Sequence, residues 1–414
     1  MKIVLNVLWE SFTHRLNRDD SGESKSVFIG GTKRSEVSSQ CRKRAWRELF
    51  QKFLPKLATG MRTGNLDIAL FKRLENRKTG IVTDTLRLLS EVAASVFVSV
   101  NKKDTDSKDD DKADDPNADV KSKGMSFLSE VELDGLVDSV IEAYKEVNAK
   151  GNKKVKKVKK VKAKGKKSED KKSYESLLGF NSDKVRELFF KKFGCLPEDA
   201  ADVGAFGRFL AADASLVVKS AVKASPSHST HACSPDDDFF VAKEEFQIEG
   251  EILPKEQRGA AHMGHQSLVS ACYHETKVID VGQLFQNYHV DSKADRKELL
   301  DALVTSGLTS VPSGGQNGAL SQEYPAYVIA YVAEGQEVTT AGAFDEAIRA
   351  NGGSGYREPS IKRLSEHWEN SKSAATSCRF KTLGLKADFR YRLSEDKKYH
   401  LGDFIEEVIN AALE

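Results

Sequence analysis

Three sets of residues in this chain have the types and spacing to do chemistry. The first is Asp19-Asp20, an adjacent carboxylate pair of the kind that can hold a divalent metal for phosphodiester cleavage. Neighbouring residues of an extended segment point to opposite faces. The sequence offers no second acidic cluster to complete a two-metal site. The pair is therefore read as bracing Arg18 or a turn, with a metal-dependent ribonuclease using Asp19 or Asp20 kept as the alternative. The second set is His228, His231 and Cys233 with His262, His265, Cys272 and His274. The spacing H-x-x-H-x-C fits no common closed zinc site, so these are expected in loops and strands, with His262 and His265 near the base of a hairpin, and no metal or other cofactor is expected.

The third set is the densest. Between Asn17 and Arg47 the chain reads NRDDSGESKSVFIGGTKRSEVSSQCRKRAWR. Arg18, Lys25, Lys43, Arg44 and Arg47 supply positive charge, and Ser38, Ser39 and Gln40 supply neutral donors. That mixture suits a phosphate backbone, which is gripped without reading base edges. Ser38 and Ser39 can cap a helix starting near Gln40, whose first-turn amides and dipole favour an anion. Lys43 and Arg47, four apart, share a face. Gly30-Gly31 is not a nucleotide loop, because it lacks G-x-x-x-x-G-K-[ST]; a bulge or tight turn is expected there.

Around these residues the sequence predicts the following elements. Residues 2–9, KIVLNVLW, read as a buried strand, and SVFIGG as a second short one. The helix after Ser39 carries Ala45, Trp46, Leu49, Phe50 and Phe53 as an apolar stripe and ends at Pro55. Residues 82–99, 126–148 and 174–193 have helical spacing. The segments 101–120 and 150–172 are nearly all charge, the second a lysine-rich repeat of KKV, and both are expected to be unstructured insertions. Residues 228–267 read as a long excursion or hairpin, 268–281 as a strand, 298–307 as a helix, 311–319 as a loop, 325–334 as a buried strand and 403–414 as an amphipathic helix. The class is α+β.

The 414 residues carry a formal net charge of only +2 with 30% charged residues, so charge distribution matters more than the sum. Five scattered cysteines without a CxxC pair fit a reducing cytoplasm. The apolar N-terminus is short and has no small-residue cleavage site, and no run approaches the roughly 20 apolar residues of a membrane span. A soluble, cytoplasmic protein without a membrane partner is expected.

The stretch from Asn17 to Arg47 resembles the signature of the CasC-type backbone subunit of the CRISPR type I-E Cascade complex. Asn17, Arg18, Asp19, Asp20, Lys25, Phe28, Gly30, Gly31, Ser38, Ser39, Gln40, Lys43, Arg44, Ala45 and Arg47 match in order and spacing. Three later stretches resemble that family in the same order: DVGAFGRFLA (202–211), DDFFVAKEEF followed by GAAHMG, and VPSGGQNGA (311–319). Cys41 and Arg42 stand where the family has a small and an apolar residue, Phe209 where it usually has Met, and Gly315 where it has Lys.

The resemblance implies an RRM-like (ferredoxin-like) palm formed by 1–100 and 200–414, a helical finger region over 101–199, and a β-hairpin thumb over 228–267. It implies RNA contacts at Arg18, Lys25, Ser38, Ser39, Gln40, Lys43, Arg44 and Arg47, an apolar wedge at Phe209, thumb aromatics at Phe239 and Phe240, and further contacts at Ser313 and Gln316. It implies a non-enzymatic subunit whose partners are crRNA, target DNA through the crRNA, further copies of itself and other Cascade subunits.

Overall fold

The computed structural model describes residues 1–97, 125–149, 177–209, 216–243, 260–321, 323–350, 355–377, 382–388 and 400–414. The acidic segment 101–120 and the lysine-rich segment 150–172 lie outside the described residues. Contacts divide the chain into two units. The first comprises 1–53, 222–282 and 290–414; the second comprises 54–221 and 283–289.

The first unit is built on an antiparallel sheet. Its central strand β1 (Lys2–His14) is longer than its apolar run suggests, and every residue from Ile3 to Ser11 is buried. Such a strand must be covered on both faces. After β1 come β2 (Ser26–Ile29) and β3 (Thr32–Val37), paired as a hairpin across Gly30-Gly31, and then α1 (Ser39–Phe53). β3 was not legible as a strand because its TKRSEV mixes charges with apolar residues. Gly30 has φ +54, and a Cβ there would sit 1.9 Å from the Asp345 carbonyl oxygen, so the turn admits only glycine.

The second unit opens with β4 (Met61–Thr63), α2 (Leu66–Asn76) and α3 (Thr83–Ala94), followed by β5 (Ser126–Leu128), α4 (Glu130–Ala149), α5 (Ser182–Lys192) and α6 (Ala201–Phe206). Its helices bury one cluster that includes Leu70, Leu89, Val92, Leu136, Val140, Leu188 and Phe189. The stretch expected as one helix over 126–148 begins instead with the strand β5, which pairs with β4.

The chain then returns to the first unit with β6 (Val222–Ala224), β7 (Ser227–Ser229), β8 (Asp236–Lys243) and the long β9 (Ala260–Asp280). After the short α7 (Val281–Asn287) come α8 (Lys293–Thr309), β10 (Tyr327–Ala333), α9 (Arg357–Ser377), β11 (Thr382–Asp388) and α10 (Leu401–Leu413). The sheet order is β11-β10-β1-β9-β7-β3-β2, with β6 and β8 also paired to β9. The pairs Leu5↔Ala330 and Leu5↔Lys277 place β1 between β10 and β9.

Alternation along β1 decides which helix each face receives. Val4 and Leu8 join Ile329, Tyr331, Phe344, Leu364 and Trp368 in a core on the α9 side. On the opposite face Trp9 meets Arg42 of α1, and Trp46 of α1 donates through its indole nitrogen to the Leu303 carbonyl of α8 at 2.9 Å. Mixed helix and antiparallel sheet bear out the α+β class. No helix among the described residues is long and apolar enough to cross a membrane.

Candidate nucleic-acid interface

The basic helix α1 separates its charges by angle. Arg42, Ala45, Trp46 and Phe50 are buried, while Phe53, expected on the same stripe, is exposed at the helix end. Arg42 is an internal residue despite its charge. Its Nε and Nη2 donate to Glu275 Oε2 and Oε1 at 2.7 and 2.5 Å, and its guanidinium lies 4.5 Å from the Trp9 ring centroid. Lys277 Nζ donates to Glu275 Oε1 at 2.7 Å and to the Gly307 carbonyl, and Ser227 Oγ donates to Glu275 Oε2 at 2.8 Å. Burial alone would raise the Glu275 carboxyl, but Arg42 and Lys277 overcome it and hold the group near 2, while burial pulls Lys277 down to about 8. Arg42 can therefore sit on the apolar stripe of α1: Glu275 on β9 supplies its counter-charge, and the bidentate fork locks α1 to the sheet.

The opposite face of α1 is polar. Gln40 and Arg44 are exposed, and Arg44 Nε donates to Glu48 Oε1 at 2.7 Å, four residues on. Arg47 is half-buried beside them. Lys43 lies on the flank and donates to the Val222 carbonyl at 3.1 Å. Ser38 is the cap: its Oγ accepts from the Cys41 amide at 3.3 Å, and its own amide donates to Asn17 Oδ1 at 2.8 Å. The Ser39 and Gln40 amides, in the first turn, have no intrahelical acceptor.

Asn17 begins a closed loop beside this helix end. The Lys25 amide donates to the Asn17 carbonyl at 3.0 Å, and Arg18 and Ser24 bridge across it. Asp19 makes the turn: its Oδ1 accepts from the Ser21 amide at 3.0 Å, Ser21 Oγ at 2.6 Å and the Glu23 amide at 3.0 Å. These donors, Ser21 Oγ first, lower its pKa. Asp19 thus braces the turn, while Asp20 and Arg18 are exposed. Lys25 is half-buried and pairs with Glu36 at 3.3 Å.

Two further segments meet this loop. Residues 311–319 pack on the backbone of Arg15 and Leu16; a Cβ on Gly314 would come within 2.5 Å of the Leu16 carbonyl oxygen. Gln316 holds the loop from inside, donating to the Pro312 carbonyl at 3.1 Å and accepting from the Ser321 amide at 3.2 Å. Ser313 is exposed. On the other side, the Ser24 amide donates to Ser267 Oγ at 3.1 Å and Ser24 Oγ donates to the Ser267 carbonyl at 2.9 Å, tying the loop to the foot of β9.

From that foot β9 pairs with β8 in a ladder from Asp236↔Leu268 to Lys243↔Ala260. Phe239 and Phe240 fall on opposite faces of this ladder, 55% and 38% exposed. Each is accompanied by a histidine: His265 lies 5.1 Å from the Phe239 ring and His262 5.7 Å from Phe240. Asp237 Oδ2 and His265 Nδ1 are 2.9 Å apart. The other histidines and cysteines of the zinc-like set are dispersed. His274 bonds Thr340 Oγ1 at 3.0 Å, His231 stacks on Tyr356 with centroids 3.6 Å apart, and Cys272 is buried. Among the described residues no group of three or more His, Cys, Asp or Glu could hold a metal ion.

The first unit therefore gathers Arg18, Lys25, Ser38, Ser39, Gln40, Ser313 and Gln316 around the C-terminal end of β1, continuous with the hairpin bearing Phe239 and Phe240. Phe209 belongs to the second unit, 78% exposed. Sequence reading missed Arg42, Glu275 and Lys277; the absence of an apolar residue at 42 on an otherwise apolar stripe was the signal that an internal partner exists.

No curated protein matches the chain. Two solved structures share its fold over 100% of both chains. One, described as a CRISPR RNA-guided surveillance complex, pre-nicking, matches with TM-score 0.73 and 21% identity. Another, described as a CRISPR RNA-guided surveillance complex, matches with TM-score 0.63 and 19% identity. The family model of the CT1975-like proteins matches residues 3–407, and with nearly the whole chain covered this protein belongs to the CT1975-like protein family.

Proposed function

We propose that this chain is the crRNA-binding backbone subunit of a CRISPR surveillance complex of the type I-E Cascade class, stacked in several copies along one guide RNA. The observation that carries this reading is the convergence at the C-terminal end of β1 of four separate stretches: the Asn17–Lys25 loop, the start of α1, the glycine loop 311–319 and the β8–β9 hairpin. Together they offer Arg18, Gln40, Arg44 and Ser313 to a phosphate backbone and two aromatic faces to bases. Such a surface binds any sequence, as a guide that varies from one complex to the next requires. The two structures of like fold, both described as CRISPR RNA-guided surveillance complexes, support it.

In this reading the RRM-like palm of the type I-E class binds the guide and the hairpin is its thumb. The guide pairs with target DNA in antiviral defence, other Cascade subunits complete the cytoplasmic assembly, and the chain performs no catalysis itself. Engagement of the Asp19 carboxylate by three donors supports the last point, and an Asp20→Ala variant should leave RNA integrity unchanged in the presence of Mg²⁺.

Native mass spectrometry of the purified assembly, with sequencing of its nucleic acid, tests the proposal. Several copies on one spacer-containing RNA of uniform length are expected. An RNA-free monomer, or single copies on mixed fragments, would overturn it.

A further inference from the structure

Phe209 follows a backbone held more tightly than an exposed loop requires. The α6 helix ends with Gly207, at φ +77, where a Cβ would lie 2.7 Å from the Ser220 amide nitrogen. Arg208 then pairs with Val218 through both its amide (2.9 Å) and its carbonyl (2.8 Å). In an extended backbone successive side chains face opposite ways. Arg208 points in and is 5% exposed; Phe209 is 78% exposed. Fixing one side chain fixes the direction of the other.

The inward side chain is fixed by contacts to α4, to β5 and to the Leu216 carbonyl. Arg208 Nη1 donates to Glu132 Oε1 at 2.7 Å and to the Phe127 carbonyl at 3.4 Å, and Nε donates to the Leu216 carbonyl at 3.0 Å. Glu132 belongs to a capping box: its Oε2 accepts from the Ser129 amide at 2.9 Å, and its amide donates to Ser129 Oγ at 3.2 Å. The two preceding amides are also engaged, Glu130 by Thr59 Oγ1 and Val131 by Asp199 Oδ2, each at 3.0 Å. This helix end is thus filled from within the second unit and serves as an anchor. Apolar residues of similar volume would stabilise the site as well as a buried ion pair does. What only the pair supplies is direction, because the guanidinium fork must meet three acceptors at set angles.

We propose that Arg208 and Glu132 are positioning residues for Phe209: the buried pair holds the backbone that aims this side chain outward, for insertion of its ring beside a nucleobase. The inference rests on the RNA-binding reading above. An exposed phenylalanine by itself means little; one presented by a clamped backbone is a placed group.

The test uses the assembled complex with 2-aminopurine walked along the guide RNA, comparing wild type, Phe209→Ala, Arg208→Lys, Glu132→Gln and the double variant F209A/R208K. Arg208→Lys keeps the charge and loses the fork; Glu132→Gln keeps shape and capping should the first variant fold poorly. At the guide positions where Phe209→Ala changes the fluorescence, Arg208→Lys and Glu132→Gln should produce more than half of that change. Arg208→Lys should add nothing once Phe209 is gone. Wild-type fluorescence in both pair variants, or an equal further loss in the F209A background, would overturn the positioning role. If Phe209→Ala itself is indistinguishable from wild type at every position, the placement of Phe209 on RNA fails, and that result is read without reference to the pair variants.

Discussion

At the scale of single residues, charge is a poor guide to exposure in this chain. Arg42 and Arg44 are two positions apart on one helix; the first is internal and the second faces solvent. Removing the one acid of the buried cluster leaves Arg42 and Lys277 without a counter-charge. Glu275→Gln should therefore lower stability by about 3–5 kcal/mol, read by chemical denaturation. A loss below about 1 kcal/mol would mean that the cluster is solvated rather than buried. Arg44 has the opposite character. Its pair with Glu48 is an exposed i,i+4 contact of small worth, so Arg44→Ala should leave the denaturation midpoint nearly unchanged. If Arg44 meets a phosphate, the same variant should weaken RNA binding irrespective of sequence and flatten the log-log salt slope by about 0.7, measured by titration at several salt concentrations.

At the scale of elements, the interface depends on two short connections. The glycine loop 311–319 lies against the Leu16 carbonyl, and Gly314 leaves no space for a Cβ. Gly314→Ala must push the loop off the Arg15–Leu16 backbone; a loss of about 1–3 kcal/mol is expected, together with weaker RNA binding, because Ser313 moves with the loop. Thermal unfolding and RNA titration of the same preparation check both. The hairpin behaves otherwise. Phe239 and Phe240 are substantially exposed, so replacing either by Ala should change stability little while costing about 1–3 kcal/mol in RNA affinity for each base that loses its aromatic platform. Unchanged RNA affinity in both variants would remove the hairpin from the interface.

At the scale of the whole molecule, the sheet carries ionisable groups whose buried state sets an acid limit. Burial drives the His14 imidazole down to about 4 and that of His274 to about 3. Both are neutral in the folded chain, His14 accepting from the Leu16 amide through Nδ1 and lying 2.9 Å from the Tyr273 hydroxyl. Their unfolded value is 6.5, so between 6.5 and about 4 the unfolded chain binds more protons than the folded one. Stability should therefore fall as the pH drops from about 7 through that window. His14 alone contributes roughly 3 kcal/mol of the loss. Glu275, held near 2 in the folded chain against 4.5 when unfolded, adds its own loss as the pH falls from about 4.5 towards 2, because the unfolded carboxyl takes up its proton first. Unfolding curves from pH 8 to pH 4 test this, and replacing His14 by Gln should remove part of the slope.

Local pattern was enough for much of this fold. The apolar run after Met1, the serine cap and Trp46 stripe of α1, and the strands at 268–281 and 325–334 were all legible, because side-chain period and capping chemistry act between residues close in the chain. The grouping of basic and neutral donors between Asn17 and Arg47 was legible for the same reason. Tertiary structure decided which of those donors remain available. Arg42 turns inward because Glu275, more than two hundred residues away, stands opposite it on β9. Ser38 caps a helix, Gln316 braces its own loop and Lys43 reaches a β6 carbonyl. Only long-range pairing in the sheet could bring the 311–319 loop against Leu16 and the foot of the hairpin against Ser24, since neither contact leaves a period or a spacing in the sequence.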